Sequence, residues 1–171
     1  MLERFRSTVQ CSSKVASDGR GSSYVAIRSD IMANDLKKYG VVPRKSFITR
    51  FPYEADPKFY RHIMRGIIDG DGSIQAYSHY TRKDNRNRFV HNISCCGTHR
   101  LMCEMIDVIN ENIALNNRVK VYDYKNKVLS QFGISERNDM FHLGKWLYDD
   151  ATVFLARKKF AFDNFVKHYN L

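Results

Sequence analysis

The sequence has little that would place it in a membrane or outside the cell. Its 171 residues contain no uninterrupted apolar run of the roughly 18 residues that a membrane-spanning helix needs. The first ten residues also lack the apolar core of a secretory signal. The sequence therefore predicts a soluble, cytoplasmic or otherwise intracellular protein, and it does not indicate the host compartment.

Cysteine is scarce, and its spacing does not suit a metal site. Structural zinc sites use paired ligands such as C-x2-C, with a second pair further along the chain. The adjacent Cys95 and Cys96 have no second pair, and nearby His91 and His99 complete no such set. We interpret the thiols as ordinary buried side chains. The cysteines are Cys11, Cys95, Cys96 and Cys103.

Acidic residues are outnumbered by basic ones. The chain has 18 Asp and Glu against 28 Lys and Arg, which gives a net charge of +10 and a pI near 9.5. This balance favours a polyanionic partner such as nucleic acid, and an anionic membrane surface would also fit. A hydrophobic content of 43% can supply a core. We therefore expect a folded α+β chain rather than a disordered one.

The first 50 residues predict a strand followed by a helix. Residues 22–27 (SSYVAI) alternate as in a strand. Ser29 or Asp30 then caps a helix that ends at Gly40. Two prolines bracket a linker at residues 51–58, which separates this segment from the rest of the chain.

The remainder, residues 59–171, predicts one complete α+β unit. Apolar residues recur at helical spacing over 59–68, and this helix is expected to stop at the Asp-Gly pairs of 69–72. The predicted order is αββαββαα. The later strands are expected at 73–81, 89–95, 118–124 and 128–135, the later helices at 99–113, 138–149 and 151–168, and the hairpin turns at 82–87 and 125–127.

The two ends of the chain share a weak internal repeat. Short apolar matches also arise by chance, so taken alone it leaves both interpretations open. If the repeat is real, residues 1–50 are the C-terminal part of a truncated first unit, whose own helix and acid would precede Met1. A shift of 107 positions places Val25 on Phe132, Ile27 on Ile134, Leu36 on Leu143, Lys38 on Lys145 and Tyr39 on Trp146, and a six-residue gap then brings Arg44-Lys45 onto Arg157-Lys158.

Residues 64–73 (MRGIIDGDGS) carry the most chemical information. Small residues on one helix face let a second helix approach closely, and the glycines that follow let the chain turn into a strand. Asp69 and Asp71 would project where the helix ends. An EF-hand loop also begins with such a string, but the sixth residue here is Ile74 instead of Gly and the twelfth is Tyr80 instead of Glu. The simpler alternative is that both acids only stop a helix and cap a turn.

This segment resembles the LAGLIDADG motif of homing endonucleases. Residues 42–46 (VPRKS) and 147–158 (LYDDATVFLARK) are similar to two further segments of that family, and Arg65 stands where its members commonly carry arginine. The resemblance implies a LAGLIDADG-type αββαββα unit with a saddle-shaped antiparallel sheet, preceded by part of a second such unit. The domains would be the truncated first repeat at 1–50, the linker at 51–58 and the complete domain at 59–171.

The resemblance also implies a catalytic site. Asp71 would bind a divalent ion while Asp69 is mainly structural, and Mg²⁺ prefers oxygen ligands such as the Asp71 carboxylate and the Gly70 carbonyl. By its place in the segment LARKK, Lys158 matches a basic residue near the scissile phosphate. The alternative is that Lys158 lies on a solvated helix face.

Two other features of the family bear on this sequence. The helix interface of the family would fall on Gly66, Ile67 and Gly70. A glutamine often belongs to the family's water network, but the corresponding strand end here has Cys95 or Cys96. That role is therefore left without a residue.

The polar face of the predicted sheet is expected to read DNA. If the hairpins form one sheet, one face packs on helices and the other is free. A two-stranded ribbon fits the major groove, so the resemblance implies that this face binds double-stranded DNA. The alternative is an ordinary solvent-exposed face. Alternation places on it Gln75, Tyr77, His79, Thr81, Lys83, Arg88, Asn92, Ser94, Arg118, Lys120, Tyr122 and Tyr124.

Three functions remain open. The leading hypothesis is a site-specific, Mg²⁺-dependent DNA endonuclease of an intron- or phage-associated mobile element. The others are a maturase- or repressor-like protein that binds DNA or RNA without cutting, and an inactive remnant of a two-motif endonuclease.

Cutting both strands needs two acids, and Asp71 is the only candidate in this sequence. We therefore expect a second chain, either in a homodimer paired through residues 59–68 or as a separate first-repeat fragment. Gly66 would permit the close helix contact of a homodimer, whereas Arg65 at that interface would bring like charges together.

Overall fold

The core of the molecule lies within residues 51–171. The computed structural model describes residues 2–83, 85–125 and 128–171, with the side chain of Ser46 left out. The turns predicted at 82–87 and 125–127 include Asp84, Asn126 and Lys127, which lie outside the described residues together with Met1.

The N-terminal segment forms short elements. They are helix α1 (Leu2–Thr8), strands β1 (Ala16–Ser17) and β2 (Ser23–Tyr24), helix α2 (Asp30–Lys38) and a 3-10 turn (Lys45–Phe47). The strand predicted at 22–27 is only two residues long, and it pairs antiparallel with β1. The predicted N-cap is confirmed, because the Ser29 hydroxyl accepts a 3.2 Å hydrogen bond from the amide of Met32.

The C-terminal unit has the predicted order αββαββαα. After a 3-10 turn (Pro57–Phe59), its elements are α3 (Tyr60–Asp71), β3 (Gly72–Thr81), β4 (Arg86–Gly97), α4 (His99–Asn112), β5 (Tyr122–Asp123), β6 (Ser130–Ile134), α5 (Arg137–Tyr148) and α6 (Ala156–Tyr169).

Three predicted boundaries are wrong. Helix α3 continues through Asp69 and Gly70 to Asp71 instead of stopping before them. Strand β5 has two residues where seven were predicted, and α6 begins at Ala156, five residues later than expected.

One four-stranded antiparallel sheet, in the order β3-β4-β6-β5, holds both hairpins together. The long strand β4 joins them because it pairs with β3 along one edge and with β6 along the other. The helices cover one face, where the side chains of Ile74, Ile93 and Phe132 are buried. The other face is left open.

A buried carboxylate fastens the linker to the C-terminal unit. Glu104 of α4 is 9% exposed, and one of its oxygens accepts hydrogen bonds from the Arg50 guanidinium at 3.0 and 3.1 Å. Its other oxygen accepts one from the amide of Phe51 at 2.8 Å. Phe51 itself is 2% exposed. The core therefore begins where this carboxylate ties down the chain.

The N-terminal segment packs loosely on this unit. Among residues 2–50, leaving aside the side chain of Ser46, none is buried. Its contacts include a hydrogen bond from the guanidinium of Arg4 to the carbonyl of Thr152. The segment therefore adds exposed surface rather than core.

No helix in the described part of the chain is both long enough and apolar enough to cross a membrane.

Candidate functional site

The last turn of α3 places its two aspartates in opposite environments. The buried face of the helix runs through Tyr60, Met64, Ile68 and Asp69, at the spacing of one side of a helix. Asp71 is two positions further on and lies on the exposed side. The same helix therefore buries one acid and presents the other.

Asp69 is held by two donors from the end of α5 and the start of α6. Its Oδ1 accepts a 2.8 Å hydrogen bond from the hydroxyl of Tyr148, and its Oδ2 accepts a 2.8 Å bond from the amide of Leu155. Burial, and then the hydrogen bond to Asp69, raise the pKa of the Tyr148 hydroxyl well above its usual range. Asp69 thus joins three helices, and it does not end its own helix as the simpler interpretation required.

Arg65 lies inside its own chain and not at an outer interface. Its Nε donates to the carbonyl of Val153 at 3.0 Å, and its Nη1 donates to the carbonyl of Leu147 at 2.9 Å. Burial lowers the pKa of its guanidinium. The expected clash of like charges between two α3 helices is therefore wrong, because this charge points into the loop between α5 and α6.

Lys158 is also buried, at 2% exposure, so its placement on a solvated helix face is wrong. Its Nζ donates to three main-chain carbonyls at the end of α3, those of Ile68 (2.5 Å), Asp69 (2.8 Å) and Gly72 (2.6 Å). These bonds use all three N–H groups of the ammonium. Burial lowers the pKa of Lys158. A cation at a helix C-terminus satisfies carbonyls that have no partner within the helix.

Gly72 lets the chain turn from α3 into β3. A Cβ built on this residue would lie 2.7 Å from the carbonyl oxygen of Ile68 and 2.8 Å from that of Ser94. Both are backbone atoms, so a side chain here requires the backbone to move. The glycine therefore brings the end of the helix directly against strand β4.

Two oxygen ligands for a hard cation lie together at this junction. Asp71 and Gly70 are both exposed, and none of the three hydrogen bonds of Lys158 goes to the carbonyl of Gly70. A carboxylate and a carbonyl are donors that Mg²⁺ accepts. Across the described residues, no group of three or more His, Cys, Asp or Glu side chains could hold a metal. The chain thus offers part of a coordination shell, and the remaining ligands would have to come from elsewhere.

The two central cysteines differ in accessibility. Cys95 is 2% exposed, and burial raises the pKa of its thiol to about 12, so it stays a neutral thiol. Cys96 is exposed, which makes the prediction of ordinary buried thiols wrong at this position. Cys11 and Cys103 are partly buried.

The open face of the sheet carries the predicted polar side chains. On β3 and β4 the facing pairs are Gln75 with Asn92, His79 with Arg88 and Ser73 with Ser94. The exposed residues of the predicted set are Gln75, Tyr77, His79, Lys83, Arg88, Arg118, Lys120, Tyr122 and Tyr124, and the partly buried ones are Thr81, Asn92 and Ser94.

The structure adds Gln131 to this face. Gln131 pairs with Cys96 on one side and with Tyr122 on the other, and its side-chain carbonyl accepts a hydrogen bond from the hydroxyl of Tyr124. Alternation within residues 128–135 would have revealed it, because its neighbour Phe132 is fully buried. A glutamine therefore lies beside the exposed cysteine, one strand further from Asp71 than the resemblance implied.

The outer side of α3 is lined by small residues. Gly66 and Gly70 are exposed, and a Cβ at either would meet nothing within 4 Å. Ile67, the third predicted interface residue, is partly buried and packs on the core of its own chain. Beside the glycines lies a groove of about 320 Å³ whose other wall includes Val153 and Phe154.

No protein-family model matches the sequence, and comparison with curated proteins also finds no match. Solved structures do match. The chain is similar to the LAGLIDADG meganuclease I-AabMI bound to uncleaved DNA, with a TM-score of 0.62 and 11% identity over 99% of this chain and 76% of that one. Similarity to the meganuclease I-SmaMI bound to uncleavable DNA gives a TM-score of 0.61 and 11% identity over 97% of this chain and 74% of that one.

A third match covers less of the chain. It is the homing endonuclease I-CvuI in complex with its target in the presence of Ca, with a TM-score of 0.51 and 15% identity over 67% of this chain and 70% of that one. The chain spans only 62% of the length of another I-CvuI structure and 38% of that of I-LtrWI. Identities this low bear on the fold alone. In its helices, its four-stranded antiparallel sheet and the path of its chain, this protein has the fold of the LAGLIDADG homing endonucleases.

Proposed function

We propose that the chain is one metal-dependent half-site of a homing-type DNA endonuclease, with Asp71 as its metal-binding acid. One observation carries the proposal: Asp71 is the exposed acid at the point where α3 joins the open, polar face of the sheet. The buried partner Asp69 holds the helix in place, so that Asp71 has a defined position. The DNA-bound structures that share the fold support the same interpretation.

The chemistry assigned to this junction is phosphodiester hydrolysis. A Mg²⁺ ion held by the Asp71 carboxylate and the Gly70 carbonyl would supply charge neutralisation at the phosphoryl oxygens and an acidified water. The contribution of the protein is to hold both oxygens still and to leave them accessible. Gly72 does part of this, because it brings the end of the helix against β4.

Lys158 acts in this proposal as a positioning residue. The resemblance implied a direct role near the scissile phosphate, but the ammonium is buried and its three donors are engaged by carbonyls on both sides of Asp71. It therefore holds the main chain from which the Asp71 side chain projects. Its effect on cleavage would follow from the position of that carboxylate.

The open sheet face is proposed to bind double-stranded DNA. Arg88, Arg118 and Lys120 supply positive charge on this face, and Gln75, Asn92 and Gln131 supply amide groups suited to base edges. The net charge of +10 favours the same partner.

Double-strand cleavage requires a second acid, and therefore a second chain. One route is a homodimer in which the glycine faces of two α3 helices meet; Arg65 does not oppose it, because its charge lies inside the chain. The other route is a separate fragment that carries a first motif. The chain alone is expected to nick one strand at most.

The proposal is tested with sites selected from a randomised duplex library and cloned into a supercoiled plasmid. With Mg²⁺ present, the unmodified chain should nick the plasmid. Asp71→Asn should bind the selected sites with nearly unchanged affinity and should not nick, because the change removes a metal ligand without changing size. Asp163→Asn is the matched control, since it makes the same charge change on α6, and it should nick normally. Nicking by Asp71→Asn at the unmodified rate would overturn the assigned site.

A second candidate function is DNA or RNA binding without cutting. It is favoured by the incomplete metal site, since the described residues contain no cluster of three metal-binding side chains. The same experiment distinguishes it, because tight binding that is independent of Mg²⁺, without nicking, contradicts the endonuclease. Neither binding nor nicking would indicate an inactive remnant.

A further inference from the structure

The N-terminal elements have the same spacing as the second half of the C-terminal unit. Strands β2 and β6 begin at Ser23 and Ser130, and helices α2 and α5 begin at Asp30 and Arg137, each pair separated by 107 positions. The preceding strands β1 and β5 also pair antiparallel with β2 and β6. Residues 2–40 therefore reproduce the arrangement that ends with β5, β6 and α5.

The two helices of this comparison differ sharply in burial. Six residues of α5 are buried, and Leu143 is fully buried. No residue of α2 is buried, and Leu36, the counterpart of Leu143, is 41% exposed. In the C-terminal unit, α3 and α6 pack on α5, and β4 pairs with β6. Among the described residues, nothing equivalent covers α2.

The result is an apolar surface on and after α2. Apolar side chains gathered in this way mark a contact surface, since single proteins rarely expose large apolar patches. We call this set the N-terminal apolar surface. Its members are Ile31 (78% exposed), Leu36 (41%), Tyr39 (44%), Val41 (42%), Phe47 (67%) and Ile48 (65%).

A second uncovered surface lies next to the N-terminal segment. Val153 and Phe154 line the groove beside Gly66 and Gly70, and the same two residues line another groove whose opposite wall is α1. The glycine face of α3 and the N-terminal segment thus meet at one short loop. A single helical segment lying along this loop could contact both.

We propose that these two surfaces together are the docking site for a separate polypeptide that carries a helix followed by a β-hairpin, the counterpart of residues 60–97. In the C-terminal unit this is the segment that packs on α5 and pairs with β6. The inference rests on the proposed function in one respect: the docked segment would carry the second acid. The burial argument does not depend on that acid.

A second copy of this chain does not fit the whole surface. Its own helix and hairpin are committed to its own core, where Met64, Ile68 and Ile93 are fully buried. Two copies could join their glycine faces, but the N-terminal apolar surface of each would stay open. The occupant is therefore a partner whose helix and hairpin have no core of their own.

The first measurement uses the unmodified chain and amide hydrogen exchange. The amides of α2 should exchange much faster than those of α5, since exchange protection follows local burial and packing. The probe is a tandem variant in which a copy of residues 57–108 is joined directly before Leu2, because Ile109 stands 107 positions after Leu2. In this variant the amides of α2 should slow towards the rates of α5.

A matched control carries Met64→Asp and Ile68→Asp in the added copy only. It has the same length but a charged helix face, and it should leave the exchange of α2 as fast as in the unmodified chain. Leu36→Ser should not change the Tm of the unmodified chain and should lower that of the tandem variant. Unchanged exchange of α2 in the tandem variant, or slow exchange of α2 in the unmodified chain, would overturn the proposal.

Cleavage is measured separately, so that the two proposals can fail separately. Slow exchange of α2 in the tandem variant without any cleavage would retain the docking site and overturn the endonuclease. Robust double-strand cleavage by a homodimer of the unmodified chain, with the amides of α2 still exchanging fast, would do the reverse.

Discussion

The hydroxyl of Tyr148 donates a 2.8 Å hydrogen bond to Oδ1 of Asp69, which joins the end of α5 to the last turn of α3 inside the protein. The other carboxylate oxygen accepts from the amide of Leu155, just before α6. Three helices therefore meet at one buried acid, and the exposed Asp71 is held by a helix that this acid fixes.

Asp69→Asn should lower the free energy of unfolding by about 1.5–3 kcal/mol, because an amide offers one acceptor oxygen where the carboxylate offers two. Tyr148→Phe should cost less, and a double-mutant cycle measured by urea unfolding should show coupling between the two. Asp71→Asn is the control and should fall within about 0.5 kcal/mol of the unmodified protein, since it is a surface change. Equal stability of Asp69→Asn and Asp71→Asn would contradict the structural role.

Lys158→Met should destabilise the fold, since it keeps most of the side-chain length and leaves three carbonyls without their donor. Each unsatisfied buried group costs about 1–3 kcal/mol. Lys159→Met is the matched control, because Lys159 pairs only with the exposed Asp163, and exposed pairs contribute little. Thermal unfolding decides between the two roles. A variant of Lys158 that unfolds normally but no longer nicks DNA would restore the direct catalytic role.

Lys120→Ala and Lys83→Ala should weaken DNA binding and make it less sensitive to salt. Each lost phosphate contact should reduce the slope of log affinity against log salt concentration by about 0.9. Lys145→Ala, on the exposed side of α5, should leave the slope unchanged. Fluorescence anisotropy over a salt series measures all three, and equal slopes throughout would remove the open sheet face from the proposed interface.

Gly72→Ala and Gly66→Ala should have opposite effects on stability. At Gly72 the new methyl group would lie under 3 Å from two main-chain carbonyl oxygens, so the change should be strongly destabilising. At Gly66 it meets open space on an exposed helix face, and the higher helix propensity of alanine should add about 0.5–1 kcal/mol. Urea unfolding of both variants checks the pair. A stable Gly72→Ala would mean that the helix and β4 are further apart.

His62 should make stability fall on the acid side of its ordinary pKa. Its Nδ1 lies 2.9 Å from Nη1 of Arg65, and burial, then Arg65 and Arg61, lower its pKa below 6.5. A base with a lowered folded-state pKa contributes its full stability above 6.5, and this is lost as the pH falls through the lowered value, because only the unfolded chain takes up the proton.

The measurement for His62 is urea unfolding at several pH values on both sides of 6.5. His62→Gln removes the titration, so the difference in unfolding free energy between this variant and the unmodified protein should change with pH in that window. A difference that stays constant, or that shifts in favour of the unmodified protein on acidification, would contradict the assigned environment.

Local patterns in the sequence were enough for the order of elements, the Ser29 cap and the polar face of the sheet. Each of these depends on residues a few positions apart, such as the apolar spacing of α3 or the alternation from Gln75 to Thr81. The same spacing also indicated that Asp69 and Asp71 differ in role. Alternation could not give the length of β5, because its pairing with β6 covers only two residues.

Tertiary structure decided what the charged residues of the site do. In the sequence, Arg65 and Lys158 resemble any basic residues on solvated helices, and both are buried because they reach carbonyls more than 80 positions away. No periodicity signals such a contact. It exists only because α5 and α6 pack against α3, where a cation surrounded by carbonyl oxygens replaces its hydration with hydrogen bonds. Those bonds extend α3 through Asp71, which the sequence placed beyond the end of the helix.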